Sequence, residues 1–311
     1  MTDKSTLNHP WLVAVWPGMG NVGLSAGYYL MAKLDMHLIA EMEAGDLFDV
    51  NHVEVKDGII QTARRPRHRF FLWTDPKQQH DLIVLLGEAQ APVGKFTFCR
   101  QIMEYARQLG VERVFTFAAM ATQMHPEQPA RVFGAATDAA SLQELKQTEL
   151  EILEDGHISG LNGVLLGVVA EHNMRGTCLL GEMPHIFSQL PFPKASLAVL
   201  EIFTSLAGLD VDLSELAEQA RIMEQQLGEL LSRVEETFGG AAKEVEEVGY
   251  PTEAAEEETL SPADRNRIET LFQQAEQNRS KAFELKQLLD RLGVFAEYED
   301  RFLDLFKKSD S

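Results

Sequence analysis

WLVAVWPGMGNVG, residues 11–23, is the stretch that decides the fold class of this chain. Its first six residues form an apolar run that is typical of a buried β-strand, and Pro17 with Gly18 ends that run. The glycine-rich loop that follows leads into an apolar segment through Tyr28 to Leu34, which we expect to be a helix. A strand, a glycine loop and a helix in this order indicate the first unit of an α/β fold with a parallel sheet.

The same alternation of strands and helices continues to about residue 182. The apolar runs are nearly continuous, which is typical of strands that are buried on both faces of a sheet. The expected strands span residues 37–43, 81–86, 114–118, 131–136 and 177–180, and the expected helices span residues 97–109 and 162–172. This pattern predicts a largely parallel sheet with helices on both sides.

One pair of apolar runs interrupts this alternation. Residues 53–62 and 70–74 are expected to form a hairpin or edge strands around the basic segment RRPRHR at 64–69. Such a segment is most often a solvated hairpin tip, although it could also hold an acidic partner or the chain's own acidic linker. The interruption makes the expected sheet mixed, so the predicted fold is a three-layer α/β/α arrangement with a C-terminal helical appendage.

The composition changes after about residue 210, which suggests three regions. We expect an N-terminal tail at residues 1–10, an α/β core at 11–210 and a helical extension at 211–311. Within the extension, residues 239–260 contain seven glutamates and one lysine, so we expect a solvated acidic linker there.

Two heptad patterns flank this linker. The first pattern includes Leu213 and Leu227. The second includes Ile268, Asn278, Leu285 and Leu292, and a continuous helix from 268 to 292 would be about 36 Å long. We expect two long helices that pair along these apolar stripes, within one chain or between chains, with Asn278 as a buried amide that restricts the register. The alternative is that each helix packs separately on the core.

The net charge of −20 limits the classes of partner. A field of this sign repels nucleic acids and anionic lipids, and it suits basic protein surfaces. The first ten residues contain no apolar signal region, and no run of about 18 apolar residues is present, so we expect a cytoplasmic protein without membrane contact. The two cysteines, Cys99 and Cys178, lie in apolar runs and are expected to be buried free thiols.

The glycine loop supports two interpretations. GMGNVG at 18–23 matches the G-x-G-x-x-G pattern, and Glu41 or Glu43 follows at the end of the next predicted strand. In dinucleotide-binding proteins such a loop holds pyrophosphate and the acidic residue holds a ribose. The other interpretation is a tight turn in which the glycines permit close approach of the backbone.

Two predicted strands end in the same tetrapeptide, LLGE. Glu88 and Glu182 would then stand where their strands leave the sheet, at the edge where α/β proteins bind ligands. They could form an acid–base pair or a metal site, or they could cap loops with the help of Gln90. The candidate ligand crevice comprises Gly18, Gly20, Asn21, Gly23, Glu88, Gln90, Gly181 and Glu182. The histidines show no zinc-binding spacing, so no metal, cofactor or catalytic residue is assigned.

Six segments together resemble the proteasome assembly chaperone 2 family. They are PGMGNVG at 17–23, GEAQ at 87–90, VFTFAAMAT at 114–122, RVFGAATD at 131–138, ISGLNGVLLG at 158–167 and CLLGEMP at 178–184. The resemblance runs from about residue 11 to about residue 234. It implies a three-layer core similar to nucleoside phosphorylases, oligomers, and a chaperone role in assembly of the proteasome α-ring.

Two functional hypotheses follow. The first is a non-enzymatic assembly or interaction protein that binds copies of itself and proteasome subunits or another protein. The alternative is a nucleotide- or nucleoside-binding enzyme or sensor that uses the 18–23 loop with Glu88 and Glu182. If Gly20, Glu88 and Glu182 face one crevice, the alternative gains weight.

Overall fold

A mixed sheet of eight strands organises the described part of the chain, which comprises residues 7–43, 45–48, 53, 55–56, 58–61, 65–238 and 260–307 of a computed structural model. Its strands are β1 (Trp11–Val15), β2 (His37–Glu43), β5 (Arg67–Trp73), β6 (Leu82–Gly87), β7 (Arg113–Thr122), β8 (Val132–Ala136), β9 (Glu151–Ile152) and β10 (Arg175–Pro184). They lie in the order β2-β5-β6-β1-β7-β10-β8-β9. The central strands β6, β1, β7 and β10 are parallel, and β5 and β8 flank them in antiparallel orientation.

Helices cover both faces of the sheet. Successive residues of β1 point to opposite faces, so alternate residues pack under different helices. Val13 and Val15 pack under α1 (Val22–Lys33) and α5 (Pro193–Ala207). Leu12 and Ala14 pack under α2 (Lys95–Gln108) and α4 (Gly160–Glu171), and the short α3 (Ala139–Leu145) packs beside β8. The predicted three-layer α/β/α fold with a mixed, largely parallel sheet is therefore confirmed.

The expected hairpin around the basic segment is wrong. A small separate sheet is formed by β3 (Val55–Lys56) and β4 (Ile59–Ile60), whereas β5 pairs with β2 and β6. Arg67, His68 and Arg69 belong to β5 and are not a solvated turn. The apolar residues that follow them in β5 are buried, and three carboxylates form ion pairs with the two arginines. The basic residues can therefore be part of the strand.

The C-terminal region begins with a long helix, as expected. Helix α6 (Ser214–Phe238) has 25 residues and packs along α5 through Leu216, Ala220 and Leu227, which are buried, with Leu213 partly buried at its start. Within the described residues, α6 is not paired lengthwise with the C-terminal helices. The second interpretation, separate packing on the core, is closer to the structure.

The second heptad pattern does not form one helix. It is divided into α7 (Pro262–Gln277), a short 3₁₀ turn (Arg279–Lys281) and α8 (Ala282–Arg291), and α9 (Phe295–Asp304) follows. Asn278 is exposed, has an extended backbone, and accepts a hydrogen bond from the Ser280 amide at 3.1 Å. The predicted buried amide is therefore wrong, because asparagine side chains can compete with helical hydrogen bonding. The break lets α7 and α8 pack on each other, with Ile268 and Leu285 buried and Leu292 partly buried.

Cys99 and Cys178 are free and buried, as the sequence predicts. Among the described helices, none combines the length and the apolar composition needed to cross a membrane. The acidic linker, apart from Leu260, lies outside the described residues, as does most of the N-terminal tail.

Candidate functional site

The glycine loop packs against the segment that leaves β10. The Gly20 amide donates a hydrogen bond to the Ser188 carbonyl at 2.9 Å, and the Gly20 carbonyl accepts one from the Phe192 amide at 3.0 Å. Gly20 has a φ of 60°, and a Cβ atom added there would lie 2.8 Å from the Met183 side chain. These contacts match the interpretation of a tight turn with close backbone approach.

The positions of three further loop residues, Gly18, Asn21 and Gly23, are also set by the fold. A Cβ atom added at Gly23 would lie only 2.5 Å from the Phe117 carbonyl oxygen, so glycine lets α1 approach β7. Gly18 has an extended backbone, and Asn21 lies in the left-handed region at a φ of 50° just before α1. The loop amides of Gly20 and Asn21 both bond to carbonyl oxygens of this chain, so the nucleotide-binding alternative has no support here.

Glu88 belongs to a cluster of ion pairs at the end of β6. Its carboxylate accepts hydrogen bonds from Arg69 Nη1 at 2.8 Å and from the Arg67 backbone amide at 3.0 Å. Arg69 is only 3% exposed and also bonds to Glu41 at 3.0 Å and to Asp300 at 2.7 Å, and Arg67 contacts Asp300 as well. We call Arg67, Arg69, Glu41, Glu88 and Asp300 the arginine cluster. It joins the sheet edge to α9.

Glu182 lies inside β10, two residues before the strand ends, and not beyond its end as expected. It is 2% exposed and accepts hydrogen bonds from Arg131 at 2.6 and 2.8 Å and from the Thr122 hydroxyl at 2.7 Å. The Arg131 side chain holds the pKa of Glu182 below its usual value. Gly181, the residue before Glu182, allows α5 to pack closely, since a Cβ atom at Gly181 would lie 2.6 Å from the Ala195 carbonyl oxygen.

The two carboxylates do not share a crevice. Strands β1 and β7 lie between β6 and β10, a separation of about 14 Å at the usual strand spacing. Glu88 and Asn21 line a cavity of about 960 Å³, whereas Glu182 lines a different one of about 600 Å³ with Thr122 and Arg131. Each carboxylate bonds to an arginine within the fold, which favours a structural role over an acid–base pair.

Gln90 also has a bridging role. Its side-chain amide donates to the Pro17 carbonyl at 2.8 Å, and its carbonyl accepts from the Leu161 amide at 3.0 Å. It therefore ties the β1–α1 loop to the start of α4. This matches the loop hydrogen bonding that the sequence suggested for it.

The larger cavity is a groove above the carboxyl edge of the sheet. One wall is the exposed side of α6, the other is formed by α7, α8 and α9, and the floor contains the start of α1 with Pro17 and Pro193. The sequence predicted contact between the two walls and therefore missed the groove. The available signal was that Ile222 is apolar but is not part of the heptad pattern, and the structure leaves it 45% exposed on α6.

A buried histidine beside this edge was also missed. His68 is fully buried among the rings of Trp16, Phe48 and Phe98. Burial lowers the pKa of His68 from 6.5 to about 4. The folded protein therefore holds His68 neutral at a pH where the unfolded chain would protonate it.

We expect acid to destabilise the protein through His68. Below pH 6.5 the unfolded chain binds a proton that the folded chain excludes, so stability falls as the pH drops. At about 1.4 kcal/mol per pH unit, the loss reaches about 3 kcal/mol near pH 4, where the folded state also begins to bind the proton. Urea unfolding between pH 7 and 4 measures this, and His68→Phe should flatten the profile. Exposed His157→Phe is the control, and an equal flattening there would contradict the assignment.

Comparison with known proteins places this fold. An uncharacterized protein of Methanocaldococcus jannaschii is 29% identical over 244 residues, which cover 78% of this chain and 90% of that protein. The crystal structure of Pyrococcus furiosus PbaB, an archaeal proteasome activator, is similar with a TM-score of 0.61 and 26% identity, and it covers 74% of this chain and 94% of PbaB. A PAC2 family protein from Streptomyces avermitilis shares the fold with a TM-score of 0.60 at 23% identity, over 71% of this chain and 95% of its own.

The family match covers the core and most of α6. The PAC2 family matches residues 12–231, from β1 into the last turns of α6, and α7–α9 lie beyond the match. The chain belongs to the PAC2 family.

Proposed function

We propose that this protein is a non-enzymatic assembly or interaction protein with a proteasome-assembly-like role. The observation that carries the proposal is the PAC2 match across residues 12–231, together with the similarity to an archaeal proteasome activator over 94% of that protein. The site supports it, because Glu88 and Glu182 are held in separate arginine pairs. A scaffold needs such rigidity, whereas an acid–base pair needs both groups near one substrate.

The proposed partners are α-type proteasome subunits and further copies of this chain, in the cytoplasm. A net charge of −20 would steer the protein toward basic partner surfaces. We include the helical extension, residues 211–311, in the proposed contact region. Its helix α6 presents the apolar side chains Ile222 and Leu230, which are 45% and 44% exposed.

A reconstitution experiment tests this role. The purified full chain is mixed with α-type subunits of its own organism, and native mass spectrometry follows complexes and ring formation. We expect a defined complex and faster assembly of rings. An unrelated protein of similar negative charge is the control, because it separates specific binding from the effect of charge.

Two results would contradict the proposal. One is the absence of any complex at both low and high salt with an unchanged rate of ring formation. The other is equal acceleration by the acidic control protein, since the effect would then be electrostatic and not specific to this fold.

A further inference from the structure

Within the described residues, the groove between α6 and the C-terminal helices has two helical walls and no helix between them. On α6, Glu218, Ile222 and Gln226 face the groove at four-residue steps, so they belong to one side of that helix. Leu271 of α7 and Leu288 of α8 face it from the other wall. Ile222 and Met223 are the apolar residues of α6 that line the groove, so apolar side chains face it from both walls, as in grooves that accept an amphipathic helix.

The size of the groove agrees with such an occupant. Its volume is about 960 Å³. A helix with side chains is about 10 Å across and rises 1.5 Å per residue, so this space holds about two turns. Two turns present apolar side chains at i, i+3, i+4 and i+7, which is enough to contact both walls.

The charge of the groove selects the kind of helix. Six carboxylates and three cationic side chains line it. One of the cations, Lys286, is nearly buried and bonded to Asp290. Two of the carboxylates, Glu218 and Glu284, are 57% and 46% exposed and pair with Arg221 and Lys281, which are 63% and 47% exposed. Exposed pairs of this kind are weak, so a cationic guest can compete for the carboxylates.

Exposed apolar side chains extend the groove at its floor. Met19 and Leu190 are 43% and 41% exposed and stand next to the lining residues Pro17 and Pro191. The hydrogen bonds of Gly20 to Ser188 and Phe192 hold these two loops together. Exposed apolar side chains on the two loops beside the groove are a common feature of protein-binding sites.

We propose that this groove binds a basic amphipathic helix of a partner protein, with the apolar stripe of that helix between α6 and α7–α8. The inference rests on the proposed function and specifies the partner's chemistry. The chain's own linker is a poor occupant because residues 239–260 carry seven glutamates and one lysine. A second copy carries the same net charge of −20 and is a poor occupant of this acidic groove, so the proposed contacts between copies would use another surface.

Fluorescence anisotropy with a designed peptide tests the groove. The probe is a labelled peptide of about 15 residues, long enough to form a helix, with leucine at i, i+3, i+4 and i+7 and lysine elsewhere. We expect it to bind the full chain and to bind more weakly as salt is raised. A peptide of the same pattern with glutamate for lysine, and a shuffled leucine–lysine peptide without a stripe, should bind much more weakly.

Matched variants locate the binding. Ile222→Lys removes an apolar contact and adds a repelling charge in the groove, so we expect about tenfold weaker binding of the basic peptide. Val93→Lys makes the same change of charge at a residue that is 62% exposed and outside the groove lining, and binding should be unchanged. Both positions are exposed, so both variants should fold.

Several outcomes would overturn the proposal. They are equal binding of the glutamate or shuffled peptide, equal weakening by Val93→Lys, and displacement of the probe by a peptide of residues 239–259, which would make the linker the occupant. A lower mass of Ile222→Lys in sedimentation would identify a second copy as the occupant. Failure here with normal assembly of α-type subunits would leave the proposed function intact, because that function could use another surface.

Discussion

Replacement of Arg69 by leucine is expected to lower the free energy of unfolding by about 3–5 kcal/mol. Arg69 is 3% exposed, and its guanidinium bonds to Glu41, Glu88 and Asp300 at 2.7–3.0 Å. Leucine fills part of the space but leaves these three carboxylates close together without the charge of Arg69. The side chain of Glu88 is just 11% exposed, so water cannot fully replace the lost partner.

Denaturant unfolding of the full chain measures this loss. Arg221→Leu is the matched control, since Arg221 also bonds to a carboxylate but is 63% exposed. Its loss should be at most about 1 kcal/mol. Hydrogen exchange should also become faster in α9 for Arg69→Leu, because Asp300 loses a partner that ties α9 to β5. Equal losses for the two variants would contradict the structural role of the arginine cluster.

The arginine cluster also shows where sequence reasoning stops. The partners of Arg69 are 19, 28 and 231 residues away along the chain. Nothing local in RRPRHR indicates that two of its arginines belong to a strand and form ion pairs with acidic residues of β2, of α9 and of the position directly after β6. The position of Glu88 was predictable, because Gly-Glu at the end of a strand is a local pattern. Its role was not predictable, because that role depends on partners far away in sequence.

The first unit of the fold was predictable because its signals are local. The apolar run of β1, the glycines after it and the apolar segment of α1 each depend on neighbours in sequence. Helix α5 also has local signals, since Pro193 begins it and Gly208 ends it at a φ of 62°, but the sequence-based prediction overlooked them. The reason why Gly20 must be glycine was not predictable, since it lies in contacts with Met183 and Phe192.

The heptad patterns predicted two long helices that pair with each other, but only the first is one continuous helix, and it packs on α5. A repeat of apolar residues indicates that a helix has one buried side, and it does not identify the surface that buries it. The stripe of α6 packs on α5, and the second pattern is divided at Asn278, whose side chain caps the next turn. An asparagine at a heptad position is compatible with a buried amide or with a cap, and only tertiary packing decides between them.

Replacement of Phe302 by alanine is expected to cost about 3–5 kcal/mol. Phe302 of α9 is fully buried, and its ring meets those of Tyr28, Phe295 and Phe306 at centroid distances of 5.5–5.8 Å. Alanine would leave a cavity between α9 and α1. The buried apolar residues of β1, α1 and α7–α9 form one continuous cluster, so we expect the C-terminal helices and the core to unfold together.

The three tryptophans make this expectation measurable. Trp11, Trp16 and Trp73 all lie in β1, directly after it, or in β5, so tryptophan fluorescence reports on the core, whereas circular dichroism also reports on α7–α9. In urea, Phe302→Ala should shift both transitions to lower denaturant by the same amount. Phe96→Ala, at a phenylalanine that is 42% exposed, is the control and should cost about 1 kcal/mol or less. A shift seen by circular dichroism alone would show that the C-terminal helices unfold independently. One wall of the groove would then be lost before the core unfolds.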